Sequence, residues 1–554
     1  RVHKGLGRLV ASGHARARLQ LQFPLLRDLP MERIAVDIHG QVTGGVLERA
    51  VDGHAITDAN LSISVNDNGL DMNGTLALAG IPANLAWHED FRARAPVKTK
   101  LTLIPERVAV AKLAPLLPPS TDVSRFLRSG DLDGRVDLTV RQAGTTEIAV
   151  SADLTAAAVT LAQVGWSKQP GTPATCSFEA VLLKDTLTRI PNAACRGDGV
   201  DISARAGFDK VGAVRLVEID RFAVGRTDAV ATAARSEAGG WDIRIGGRSL
   251  DVEPLLRGGG TSKREPAAAQ PSADRTVDAA LNVALDVDSV WFHANGKLDA
   301  VQLTAVREKG VWSPVRGAAK VANGSAVTVA LRPDTAGRRR LTVEAEDAGT
   351  TLQALGLFDD LRGGRLAMTG TYADTEPERP LTGRLRIKDY QIVNAPLLAR
   401  LLNIMALTGI ADALRGEGIS FSTLDAPFTW RAGTLLLTDA KAHGTSLGLT
   451  ASGTVEVEAE RVDVKGTIVP FYVINSLLGR LPLIGDLFTG GEAGGGVFAA
   501  TYAVSGPLGD PHIWINPLSI VGPGVLRHLF AVFDLLAPSE PAPSPAVPPP
   551  APAP

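Results

Sequence analysis

The run Leu281-Asn282-Val283-Ala284-Leu285-Asp286-Val287 sets the reading of the whole chain. Leu281, Val283, Leu285 and Val287 occupy every second position. Successive residues of a strand point to opposite faces, so such a run buries one face and wets the other. The same alternation recurs at Val136, Leu138 and Val140, at Leu341, Val343 and Ala345, and at Val462, Val464 and, past Gly466, Ile468. Turn signals separate these runs roughly every ten to fifteen residues: Asn66-Asp67-Asn68-Gly69, Asp131-Leu132-Asp133-Gly134, Ala322-Asn323-Gly324 and Arg362-Gly363-Gly364. The pattern continues too far for one sandwich of about 100 residues. It keeps no strict period, which argues against a propeller or a tight solenoid.

Composition agrees with an extended β protein. Hydrophobic residues make up 45% of the 554 and charged residues 21%, enough apolar material for a large buried surface. The net charge of −2 comes from basic and acidic residues interleaved throughout, with no basic patch carrying aromatics, so no nucleic acid is expected as a partner. The most apolar run, Pro396 to Leu414, is broken by Arg400, Asn403 and Asp412 and does not read as a membrane span. The chain opens on Arg1 without a signal peptide, and is expected to be a mature product or a piece whose upstream part is missing. Helical spacing is confined to Asp122–Arg128, Thr350–Asp360, Ala395–Arg415 and Gly524–Leu536.

A long sheet with one apolar face must pack on a second sheet, close into a barrel, or curl into a trough filled by something apolar. Few helices are available here to cover it.

The distinctive segment lies near the carboxy terminus. Ile468-Val469-Pro470-Phe471-Tyr472-Val473-Ile474-Asn475 leads through Gly479 and Pro482 to Gly485-Asp486-Leu487-Phe488. A Gly-rich turn follows (Thr489 to Gly496), then a strand (Val497 to Val504), and then Asp510-Pro511-His512-Ile513-Trp514-Ile515-Asn516-Pro517. An amphipathic segment, Pro523 to Phe530, closes the block. Together these resemble the carboxy-terminal signature of the AsmA-like superfamily of bacterial envelope proteins, close to its YhdP and TamB branches. The signature positions are Pro470, Tyr472, Asn475, Pro482, Gly485, Asn516 and Pro517. The likeness is specific from about Val277 to Phe530 and diffuse before it.

The resemblance implies a mostly β fold, an elongated and curled antiparallel sheet forming a U-shaped hydrophobic groove with a few short capping helices. It implies a bridge-like protein of the periplasm, anchored in the inner membrane by an upstream helix. Phospholipid acyl chains would lie in the groove, and the protein would contact both inner and outer membrane. Fifteen residues per strand and turn give roughly 35 strands, or on the order of 170 Å of groove at about 4.8 Å per strand. Envelope protein partners are not identified. The alternative is a scaffold for outer-membrane assembly whose apolar faces pack on each other with no lipid between them. No catalytic residue, cofactor or metal is expected in either reading.

Residues 1–257 read as an amino-terminal β-rich segment, 258–275 as a linker, 276–537 as the AsmA-like groove, and 538–554 as a disordered Pro/Ala tail. Cys176 and Cys195 flank two apolar strands around an Asp185-Thr186 turn. In that register opposed positions sum to 371, which sets the two cysteines face to face, where a disulfide or two buried thiols would both fit.

Candidate chemical motifs read as structural. Gly444-Thr445-Ser446-Leu447-Gly448 has nucleophile-elbow spacing, but Leu447 onward continues as strand where an elbow needs a helix. Gly485 to Gly490 has phosphate-loop glycines without the Lys and hydroxyl that hold phosphate. His88-Glu89-Asp90 alternate faces of a strand and cannot converge on a metal. The helix Ala395–Arg415 places Leu398, Leu401, Leu402, Met405 and Ile410 on one face, to pack over the sheet end or to meet a membrane. Pro470 to Phe488 reads as a hydrophobic cap or a lipid exit.

Overall fold

In the computed structural model, the described residues are 11–26, 33–51, 53–113, 123–237, 239–259, 280–404, 414, 418–470 and 499–516. About 70% of them lie in strands and 6% in helices, against some 20–25% strand in an average globular domain. The fold is curled, unclosed antiparallel sheet with few short helices. The α-helices are α1 (Glu253–Gly259), α2 (Ala348–Ala354) and α3 (Pro396–Ile404).

The chain forms two compact units, 1–295 with 299–312, and 296–298 with 313–554. The linker expected at 258–275 falls inside the first unit. Its first two residues end α1, and 260–275 lie outside the described residues.

In the first unit each strand mostly pairs with the next. Ala11–Gln22 pairs Ala35–Val51, which pairs His54–Asn66, and so on to Trp241–Asp251. Trp241–Asp251 then pairs in parallel with Leu281–His293. A parallel neighbour requires a crossover, and α1 follows directly on Trp241–Asp251. Arg226 fastens its start, holding Asp251 at 2.9 Å and Glu253 at 2.5 Å, with its guanidinium 5.0 Å from the Trp291 ring centre. Both carboxylates are buried.

The second unit runs by antiparallel neighbours from Val311–Lys320 to His512–Ile515. Its connections are uneven. At one edge they are short, such as Ala432 with Gly433 between Ile419–Arg431 and Thr434–His443. The other edge carries the long excursions 346–360, 393–418 and 471–499.

Several expected boundaries are corrected. Asp131–Gly134 and Arg362–Gly364 are not turns but lie inside the strands Leu127–Arg141 and Leu361–Tyr372. In the second, Gly363 and Gly364 have φ of 62° and 84°; the ladder skips Gly364 and, on the partner strand, Asp389, also at positive φ, then resumes in the same register, so the strand is distorted without ending. The helix expected over Asp122–Arg128 is one 3-10 turn, Val123–Arg125, because Leu127 already pairs with Val159. The helix expected over Thr350–Asp360 is α2, which starts earlier because Asp347 caps it, accepting from the Thr350 N–H at 2.9 Å. It stops before Gly356, whose φ is 67°. The helix Gly524–Leu536, the Gly-rich turn 489–496 and the tail 538–554 lie outside the described residues.

Candidate functional site

Strand registers in the first unit align apolar side chains into continuous rows. One begins Ala15, Val42, Leu61, Gly74, Leu85, Leu103, each hydrogen-bond-register partner to the next. It continues through Val136, Val150, Phe178, Ala193 and Ala204 to Ile219, Ala231, Ile245 and Leu285. At about 4.8 Å per strand the row runs on the order of 65 Å. Alternation at period two then forces the neighbouring positions onto the other face.

That other face is ionic. Arg205 stands in register with Glu218 and bonds it at 2.7 Å, Arg221 holds Asp201 at 2.5 Å, and Arg141 holds Glu147 at 2.8 Å. Hydrogen bonds from their arginines hold the Glu218 and Glu147 carboxyls below the ordinary range. A shallow bowl of about 460 Å³ on this side, lined by Asp133, Arg135, Asp153 and Arg196, belongs to the polar face.

The apolar row is not a filled core. From Val136 to Leu285 none of its members is buried, and Phe178 is 39% exposed. The row from Val136 to Leu285 belongs to none of the core clusters among the described residues. Toward one edge a small flap does cover the face. Leu132, Leu154, Ala157 and Val159 form its core, with Ala152 and Cys176 packed against it. The candidate site is therefore the strip of open, in-register apolar side chains beside this flap, a surface able to hold apolar chains and lacking groups for covalent chemistry.

Cys176 and Cys195 sit at the margin of that strip, in a parallel row with Ala152, Ile202 and Phe222. They are directly opposed and joined, with S–S 2.07 Å and Cα–Cα 4.1 Å. The hairpin that brings them together differs from the expected one. Its turn residues are Lys184 and Asp185, both at positive φ, and not Asp185 and Thr186. Two register shifts restore the pairing sum of 371 at the cysteines. One falls at Pro191, which has no N–H for the ladder. At the other, the Thr188 hydroxyl donates to the Val181 carbonyl at 2.8 Å.

Of the carboxy-terminal signature, two residues are described. Pro470 ends its strand opposite Leu447, and Asn516 is buried just past His512–Ile515, its N–H donating to the Thr501 carbonyl at 3.1 Å. Both lie at the edge that carries the long excursions. Tyr472, Asn475, Pro482, Gly485 and Pro517 lie outside the described residues, as does the Gly485 to Gly490 loop.

No family model, curated protein or solved structure matches the chain. Ser446 occupies the exposed turn between two strands, where Gly444 lies so close to Ser420 that a Cβ would meet its carbonyl at 2.1 Å. That is a tight strand-to-strand turn and supplies no helix for an elbow. His88 bonds Asp71 at 2.7 Å, while Asp90 is held at about 2 by hydrogen bonds from Arg92. No group of three His, Cys, Asp or Glu placed to hold a metal occurs among the described residues. None of the helices among them is long and apolar enough to cross a membrane.

Sequence reading missed Phe178 as the most exposed ring of the open row. Alternation marks it as apolar-facing, but only the registers on both sides show what lies beside it.

Proposed function

We propose that this chain is a periplasmic, AsmA-like lipid carrier that holds phospholipid acyl chains along its apolar strip and moves them between inner and outer membrane. The observation that supports this reading is the unbroken, only partly buried row from Val136 to Leu285. Contiguous apolar surface of this kind on a protein marks an interaction site. Each acyl methylene contributes about 0.8 kcal/mol on leaving water, so a continuous floor lets a chain slide without re-exposing it. Head groups would remain wet, and no residue need act as nucleophile or base. The cross-strand disulfide fits an oxidising compartment.

The test is native mass spectrometry with lipid extraction on the chain purified gently from a bacterial host. Several phospholipids per chain are expected. Lipid-free protein with a cooperative melt would replace this reading with the assembly-scaffold one.

A further inference from the structure

The polar face of the second unit differs in charge from that of the first. Arg316, Lys320, Arg332, Arg340, Arg365 and Lys388 are all exposed and form no ion pair among the described residues. In sequence they are scattered among acids, and the strand registers gather them on one face. Arg316, Ala330, Thr342, Thr369 and Arg384 are successive partners there. Arg384 and Arg386 share one carboxylate oxygen of Asp425, at 3.0 and 3.4 Å. Glu344 is the other acid in these rows. Glu346 and Asp389 stand toward one edge, and the Glu346 carboxylate there accepts the Ala326 N–H at 2.9 Å.

This arrangement has a cost. Arg332 stands directly opposite Arg340, and Arg365 opposite Lys388. Like charges facing across a strand pair destabilise it. The first unit avoids this, setting Arg205 opposite Glu218 and holding Arg221 on Asp201. Pairs of that kind wet a face without unbalancing its charge, so solubility alone does not call for opposed cations. The ladder positions between the cations carry small side chains, such as Ala318, Ala330, Ala367 and Thr369. They offer no ring for a nucleic-acid base to stack on. The long Arg and Lys chains stand clear of them, spread over roughly 20 Å at about 4.8 Å per strand.

We propose that this face of the second unit docks on an anionic phospholipid bilayer, its unpaired cations meeting lipid phosphate groups. Near such a surface each Lys or Arg raises partitioning about five-fold, and salt screens the effect. A bilayer presents many anions in one plane. That suits cations spaced across neighbouring strands, where a single phosphate would need them to converge. The inference goes beyond the carrier reading, which uses apolar side chains and not this face.

The test is co-sedimentation of the full chain, disulfide intact, with phosphatidylglycerol-rich vesicles and with vesicles of phosphatidylcholine alone. Binding to the first at low salt, lost at high salt, is expected, with little binding to the second. Arg340→Gln, Arg365→Gln and Lys388→Gln together should weaken binding at least about ten-fold. The melt should hold, since these changes relieve opposed charges. Arg316→Gln with Lys320→Gln is a second variant should the first misfold. Arg205→Gln with Arg221→Gln, which removes paired cations of the first unit, should change binding by less than about two-fold. Equal binding to both kinds of vesicle assigns attachment to apolar side chains and overturns the proposal, as does equal loss in the variants of the two units. Retention of single-stranded DNA without vesicle binding overturns it in favour of nucleic acid. Phospholipid carried per chain is counted separately and bears on the carrier reading alone.

Discussion

The open strip of the first unit and the covered strip of the second are built alike and end differently. Both align apolar residues strand after strand, Val136 to Leu285 in one and Ala345 to Ala500 in the other. In the first, Phe178 remains 39% exposed; in the second, Leu402 and Ile468 are 0% exposed. The cause is the connections. Residues 346–360 and 393–418 bring α2 and α3 onto the second unit's apolar face, where Leu352, Leu398 and Leu402 join its core. Along the open strip the hairpins from Ala174–Leu183 to Trp241–Asp251 are tight, and the longer connection 154–173 goes into the flap at one edge. An apolar row is thus a core or a binding surface according to what its loops do.

The contrast breaks first at Leu402. Leu402→Ala should cost about 2–5 kcal/mol, read as earlier urea unfolding of the second unit by hydrogen exchange. Phe178→Ala should cost far less, because much of that ring is already in water; equal losses would make both rows cores. A covalent staple is expected to matter in the first unit instead. Replacing both Cys176 and Cys195 by Ala opens a loop of sequence separation 19 and should lower its stability by about 3 kcal/mol. An unchanged unfolding midpoint would show the open sheet needs no staple.

Charge in the open row sharpens the functional half of the comparison. Phe178→Asp should reduce phospholipid recovered per chain at least about two-fold, since a carboxylate beside an acyl chain must be desolvated, while the melt stays within a few degrees. The same lipid count in this variant would separate the strip from lipid.

Alkaline pH distinguishes the units through their tyrosines. Burial pushes the Tyr502 hydroxyl up to about 12 and Tyr390 up as well, both in the second unit's core. Their folded pKa values lie above the unfolded value near 10. Their contribution is therefore whole below pH 10 and is lost as pH rises toward 12. Tyr502→Phe should flatten that loss for the second unit and leave the first unchanged.

The smallest effect belongs to the polar face. Arg205→Ala should leave the unfolding midpoint within error at pH 7, because the Arg205–Glu218 pair is exposed. Since the Glu218 pKa is lowered, its small contribution is present above the ordinary carboxyl range and fades as pH falls below it.

Much of this was legible in the residues. The runs through Leu138, Val283, Val343 and Val464 are strands because their alternation suits no other regular structure. That Cys176 faces Cys195 followed from spacing, while the bond between them did not; the turn was misplaced by one residue, since the two register shifts that make up for it are invisible in a sum. Gly363 and Gly364 misled because glycine takes up positive φ inside a strand as readily as in a turn. The helical periodicity at Leu398, Leu401 and Leu402 was plain, but its target was not.

The sequence by itself determined which face of each strand is apolar, because side-chain direction alternates with fixed period along any strand. Only the tertiary structure decided which of those faces stay open. That depends on inter-strand register and on where residues 393–418 fold, and both are set by contacts between residues far apart in the chain, which no local pattern encodes.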